Sequence, residues 1–126
     1  RGLKRLKKKF TISTLSNGNV ALLNNMAKHA GLPWDLILSA EIFHHYKPEP
    51  EVYSGAADML GLQPGEVMMV AAHKSDLRAA AREGLRTALV LRPNEFGTGR
   101  HPDLSPDPAF DLNAVDFADL ADQLGA

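Results

Sequence analysis

The stretch Val67–Ala80 reads VMMVAAHKSDLRAA. Val67–Ala71 is a continuous apolar run with no alternation, the pattern of a strand covered on both faces. Polar residues follow, and Asp76–Glu83 then reads as a helix ended by Gly84. Thr87–Leu91 (TALVL) repeats the buried-strand pattern. Two buried strands joined through a helix belong to a parallel sheet whose faces are covered by helices.

Working outward, the same alternation recurs. Phe10–Leu15 (FTISTL) is rich in β-branched and apolar residues and stops at Ser16-Asn17-Gly18, a strand followed by a turn. Asn17 or Asn19 can cap a helix running to about Ala30, with Val20, Leu23, Met26, Ala27 and Ala30 on one face and Gly31 as its stop. Leu36–Ser39 is a short apolar run, read as a strand, and Glu41–Lys47 is read as a loop. Pro50 opens a helix that Gly61 ends. Pro93 to Pro108 reads as a loop, Asp111-Leu112 as a last short strand and Val115–Leu124 as a final amphipathic helix. The expected fold is α/β, a Rossmann-like three-layer sandwich with one parallel sheet flanked by helices, and residues 1–126 form a single unit.

Composition narrows the chemistry. The 126 residues carry 14 basic and 15 acidic groups and no cysteine. That excludes disulfides, a thiol nucleophile and every cysteine-based metal site. No apolar run approaches the roughly 20 residues of a membrane span, and no signal peptide is read at the start, so a cytoplasmic protein is expected. Arg1, Lys4, Arg5, Lys7, Lys8 and Lys9 crowd the first nine positions. Leu3, Leu6 and Phe10 recur among them at helical spacing, so they read as the solvated face of an amphipathic helix and not as a nucleic-acid footprint. The five histidines show no i,i+4 pair, and no metal site is read from them.

In parallel sheets flanked by helices, ligands sit at the carboxyl ends of the strands. Ser16, Asn17 and Gly18 fall there, as do Ala72, His73, Lys74, Ser75 and Asp76, and then Arg92, Pro93 and Asn94. Ser16 and Asn17 offer a hydroxyl and an amide beside a turn that can face an anion. Lys47, stiffened by Pro48, can neutralise a carboxylate or a bound anion. Asp76 either caps the helix behind it or faces the same cleft.

Three pieces occur in a fixed order: LSNGN at Leu15–Asn19, YKPEPEVY at Tyr46–Tyr53, and VAAHKSDLRAA at Val70–Ala80. Together they resemble the second, third and fourth motifs of the haloacid dehalogenase superfamily, in the manner of its type II 2-haloacid dehalogenases. The resemblance spans roughly Leu3 to Pro93. In that superfamily a strand ending in a nucleophilic aspartate, followed by a cap, precedes the Ser-Asn motif. Only fifteen residues stand before Ser16, and the chain opens on Arg1. The resemblance therefore implies a truncated dehalogenase-like core lacking the first strand and the cap, with the isolated chain inactive.

For the complete protein it implies a hydrolase that displaces halide from a small-molecule 2-haloacid through an aspartyl ester. Ser16 and Asn17 would bind the substrate carboxylate or halide, Lys47 would pair with the nucleophile, and Asp76 would orient Lys47. No cofactor is implied and no metal. Type II enzymes often read Ser-Ser-Asn-x-x-Asp where this chain reads Ala71-Ala72-His73-Lys74-Ser75-Asp76. Two hydroxyls are lost, and His73 takes the place of the amide and with it a catalytic hydrogen-bonding role. A magnesium-dependent phosphomonoester hydrolase of the same superfamily is the alternative, although Asp76 is the only acid between Glu66 and Glu83. A non-catalytic binding domain on the same fold is a further reading. No nucleic-acid or membrane partner is expected, and self-association into a homodimer is allowed for.

Overall fold

The computed structural model describes residues 2–91 and 106–126. The loop expected over Pro93–Pro108 lies mostly outside them, as do Arg92, Pro93 and Asn94. In chain order the elements are α1 (Gly2–Lys9), β1 (Ser13–Ser16), α2 (Val20–Ala30), β2 (Leu36–Ser39), α3 (Ala40–Phe43), α4 (Pro50–Leu60), β3 (Met68–Ala71), α5 (Lys74–Arg82), β4 (Arg86–Val90), β5 (Leu112–Ala114) and α6 (Phe117–Gln123). A single 3-10 turn, Pro64–Glu66, leads into β3.

The stop signals act as their chemistry dictates. Asn19 caps α2 by accepting the Leu22 N–H at 2.7 Å. Gly31 and Gly61 close α2 and α4 with φ of 65° and 69°, a left-handed turn that costs a glycine little. The segment expected to be loop from Glu41 contains α3. Ser39 starts it, accepting the Glu41 N–H at 3.0 Å, and His44 ends it with φ of 58°. A single-turn helix carries too few residues for an apolar period to show in sequence.

Among the described residues every strand pairing is parallel, as expected, but the pairings form two sheets and not one. β1 pairs with β2, and separately β3, β4 and β5 pair in that order. β4 is central to the second sheet. Its residues alternate: Leu89 faces a core layer with Val52, Tyr53, Met69, Leu77 and Ala80, while Ala88 and Val90 face Leu6, Ala114, Leu120 and Ala121. Helices α4 and α5 thus cover one face, and α1 and α6 the other, which is the three-layer arrangement. Leu15 of β1 packs against the first of these layers, so the two sheets share one side of the core.

Two of the six basic residues at the start of the chain take part in this packing. Arg5 donates to Asp122 Oδ1 and to the Ala126 carbonyl, both at 2.6 Å, and Lys9 donates to the Leu124 carbonyl at 2.8 Å. These carbonyls lie just past the C-terminus of α6, so the two cations stand near the negative end of its dipole. Gly2 packs so closely that a Cβ there would stand 2.4 Å from the Phe117 carbonyl carbon. By contrast, α2 buries none of its residues, and Leu22 and Met26 are half exposed. Its expected apolar face is only partly covered: Val20, Leu23 and Ala27 are half-buried, whereas Met26 and Ala30 are exposed.

Candidate active site

The carboxyl ends of β1 and β3 are tied together by one side chain, that of Lys47. The loop after α3 carries it, and its own N–H donates to Asn17 Oδ1 at 2.8 Å. The peptide between Lys47 and Pro48 is cis. The ammonium donates to the Leu15 carbonyl at the end of β1 (2.9 Å) and to Asp76 Oδ2 behind β3 (2.6 Å). An ammonium has three donors. Two are spent on these partners, which leaves one N–H without a partner among the described residues and open to a ligand.

Asp76 does not cap α5. The cap position is His73, and Asp76 lies in the first turn with both carboxylate oxygens committed to the cleft. Oδ2 receives Lys47, and Oδ1 receives the Tyr53 hydroxyl at 2.6 Å. The Lys47 and Asp76 side chains are only 18% and 16% exposed, so their pairing is shielded from water. Tyr53 is fully buried on α4. Burial first, and the Asp76 carboxylate second, push its phenol well above its ordinary value of 10.0. It therefore stays protonated and acts as a fixed donor.

These residues line an open cleft of about 370 Å³, bounded by Lys47, Pro48, Tyr53, His73, Ser75, Asp76 and Arg82. The structure thus brings Lys47, Asp76 and His73 together, as expected. His73 is exposed at the helix start and makes no cap with its side chain. Ser16 and Asn17 sit beside the cleft and not in its wall. Ser16 Oγ accepts the Gly18 N–H at 3.1 Å. The Asn17 carbonyl is already spent on the Lys47 backbone, so only its amide NH₂ remains for a ligand.

Two residues of the cleft escaped the sequence reading, Tyr53 and Arg82. A signal existed for Tyr53: it lies one turn into a helix, beside Val52 and before Ala56, and a buried tyrosine hydroxyl requires a partner. For Arg82, at the far end of α5, no motif gives a signal.

A metal ion fits this donor set poorly. Among the described residues the only carboxylate lining the cleft, that of Asp76, has Lys47 on one oxygen and Tyr53 on the other. A cation on Asp76 would have to displace an ammonium or a buried phenol.

The family model for haloacid dehalogenase-like hydrolases matches residues 1–84. The chain belongs to that family. Among curated relatives, the (S)-2-haloacid dehalogenase 4A of Burkholderia cepacia is 37% identical over 85 residues, covering 66% of this chain and 37% of that protein. An enolase-phosphatase of Sorangium cellulosum is 46% identical over a shorter stretch of 54 residues, covering 43% of this chain and 22% of that protein. Among solved structures, an L-2-haloacid dehalogenase is 50% identical with a TM-score of 0.94, covering 98% of this chain and 54% of the other. The chain is thus similar to about half the length of that enzyme and to a smaller share of its curated relatives. Among the described residues no helix is long and apolar enough to cross a membrane.

Proposed function

We propose that these 126 residues are the supporting half of a 2-haloacid dehalogenase site, with the attacking carboxylate supplied from outside them. The observation that carries the reading is the Lys47–Asp76–Tyr53 chain of hydrogen bonds, which holds an ammonium with one free donor at the carboxyl ends of the strands. Such a donor keeps a neighbouring carboxylate ionised and points it at its target. Among the described residues no other side chain of the cleft wall supplies a second carboxylate.

The reaction has two steps. A carboxylate oxygen attacks C2 of the 2-haloacid, the carbon–halogen bond breaks with inversion, and halide departs, leaving an ester. Water then attacks the ester carbonyl. The 2-hydroxy acid leaves, a proton is released, and the carboxylate returns to Lys47. In this scheme Lys47 orients the nucleophile, Asp76 orients Lys47, and Tyr53 holds Asp76. Ser16 and the Asn17 amide contact the substrate carboxylate or the departing halide. His73, exposed at the start of α5, supplies the hydrogen-bonding function that an amide has in related motifs. The protein works in the cytoplasm, and a homodimer is its proposed assembly.

A phosphomonoester hydrolase is the second reading, favoured by the similarity to an enolase-phosphatase. It calls for a magnesium ion beside Asp76, where the donor set fits poorly. The experiment that separates the two uses the complete protein. Halide release from (S)-2-chloropropionate in the presence of a chelator supports the dehalogenase. Magnesium-dependent phosphate release, without halide release, supports the phosphatase.

A further inference from the structure

A second group of side chains stands apart from the cleft, where the loop from α3 enters α4. His45 Nδ1 lies 3.1 Å from Glu49 Oε2 and 3.3 Å from Glu51 Oε2. One ligand atom from each of the three residues falls within 4.8 Å of the other two. Two donors bound to the same zinc-sized ion at about 2.0–2.2 Å stand roughly 2.9–3.6 Å apart, from an octahedral to a tetrahedral edge. The histidine's separations from both carboxylates lie inside that span, and the two carboxylates lie within 4.8 Å of one another, so a small closure of the third edge brings the donors onto one ion.

The chemistry of the set is selective. One imidazole nitrogen with two carboxylate oxygens suits zinc, nickel or cobalt, whereas magnesium and calcium prefer oxygen alone. Two carboxylates match the charge of a divalent ion. A single Nδ1–H, shared between two carboxylates, can align well with only one of them, while a cation serves both. The ligands are also held from behind. Glu49 Oε1 accepts the Tyr46 N–H at 3.2 Å, and Glu51 lies in the first turn of α4. All three side chains are between 39% and 52% exposed, which leaves room for water to complete the coordination shell.

We propose that His45, Glu49 and Glu51 form a binding site for one divalent transition cation. The ion would clasp residues 45–51 across the loop that carries Lys47 and so fix that loop against α4. The site is independent of the proposed dehalogenation, and its test does not require turnover.

The test is calorimetric titration of zinc chloride into the full 126-residue chain in a buffer that does not coordinate metal. One equivalent of saturable binding is expected. His45→Ala and Glu51→Gln should each weaken it tenfold or more, since each removes one of three ligands. His44→Ala, which alters the neighbouring imidazole outside the group, should leave it unchanged. Glu51→Gln preserves side-chain shape, so a fold-independent result is available, with far-ultraviolet circular dichroism checking each variant. The proposal is overturned if millimolar zinc gives no saturable heat. It is equally overturned if binding survives in both His45→Ala and Glu51→Gln, or is lost alike in His44→Ala.

Discussion

Replacing Tyr53 by Phe removes one oxygen and leaves the ring in its packing. That oxygen is the only partner of Asp76 Oδ1 among the described side chains, at 2.6 Å. A hydrogen bond to a charged group contributes about 1.5–3 kcal/mol net. Asp76 retains 16% exposure and its Lys47 partner, so water recovers part of the loss, and a cost at or just below the bottom of that range, ~1–2 kcal/mol, is expected. For a domain of this size that corresponds to a fall in Tm of about 4–8 °C. The assay is urea unfolding followed by circular dichroism, carried out as a double-mutant cycle with Asp76→Ala. Because the two groups touch, the cycle should give a coupling energy of at least ~1 kcal/mol. A coupling energy below about 0.3 kcal/mol would refute the reasoning, because unconnected sites are additive to that level.

Tyr53 also gives a pH prediction. Its phenol is raised in the folded state, so its contribution to stability is complete below the ordinary value of 10.0 and is lost as pH rises above it. Absorbance titration of a Tyr46→Phe variant, in which Tyr53 is the one tyrosine left, should show phenolate forming only as the chain unfolds; a phenolate appearing in folded protein at the ordinary value would contradict this. Gly55→Ala should destabilise by about 1–3 kcal/mol despite alanine's better helix propensity, because the added Cβ would meet the Phe43 ring at 2.7 Å. A gain in chemical-denaturation midpoint would show that Phe43 yields freely. Ser39→Ala should cost about 1–2 kcal/mol in the same assay, since Ser39 is fully buried and caps α3.

The parts of the fold that announced themselves are those with local chemistry. The unbroken apolar runs around Met69 and Leu89 gave buried parallel strands, and Asn19, Gly31 and Gly61 marked helix ends where they fall. Asp76 and His73 were legible because topology sends strand-end residues to one cleft, and Lys47 because its motif resembles that of the family. What stayed hidden depends on distant partners. The separation of β1–β2 from β3–β4–β5 is a matter of which edges meet, and no local pattern records it. The partner of Tyr53 is another case: a tyrosine on a helix face reads as core until its hydroxyl is seen on Asp76. The partly covered face of α2 is a third, since amphipathic spacing shows which side is apolar and not what lies against it.

The central claim is that Lys47 supports a carboxylate supplied from outside this chain. The most direct test measures halide released from (S)-2-chloropropionate by three proteins: the 126-residue chain, the complete protein, and the complete protein carrying Lys47→Ala. The account predicts no release from the first, steady release from the second and a loss of at least 100-fold in the third, in line with the ~10²–10⁴-fold effects of positioned catalytic groups. Halide release by the 126-residue chain alone, or an undiminished rate in Lys47→Ala, would contradict it.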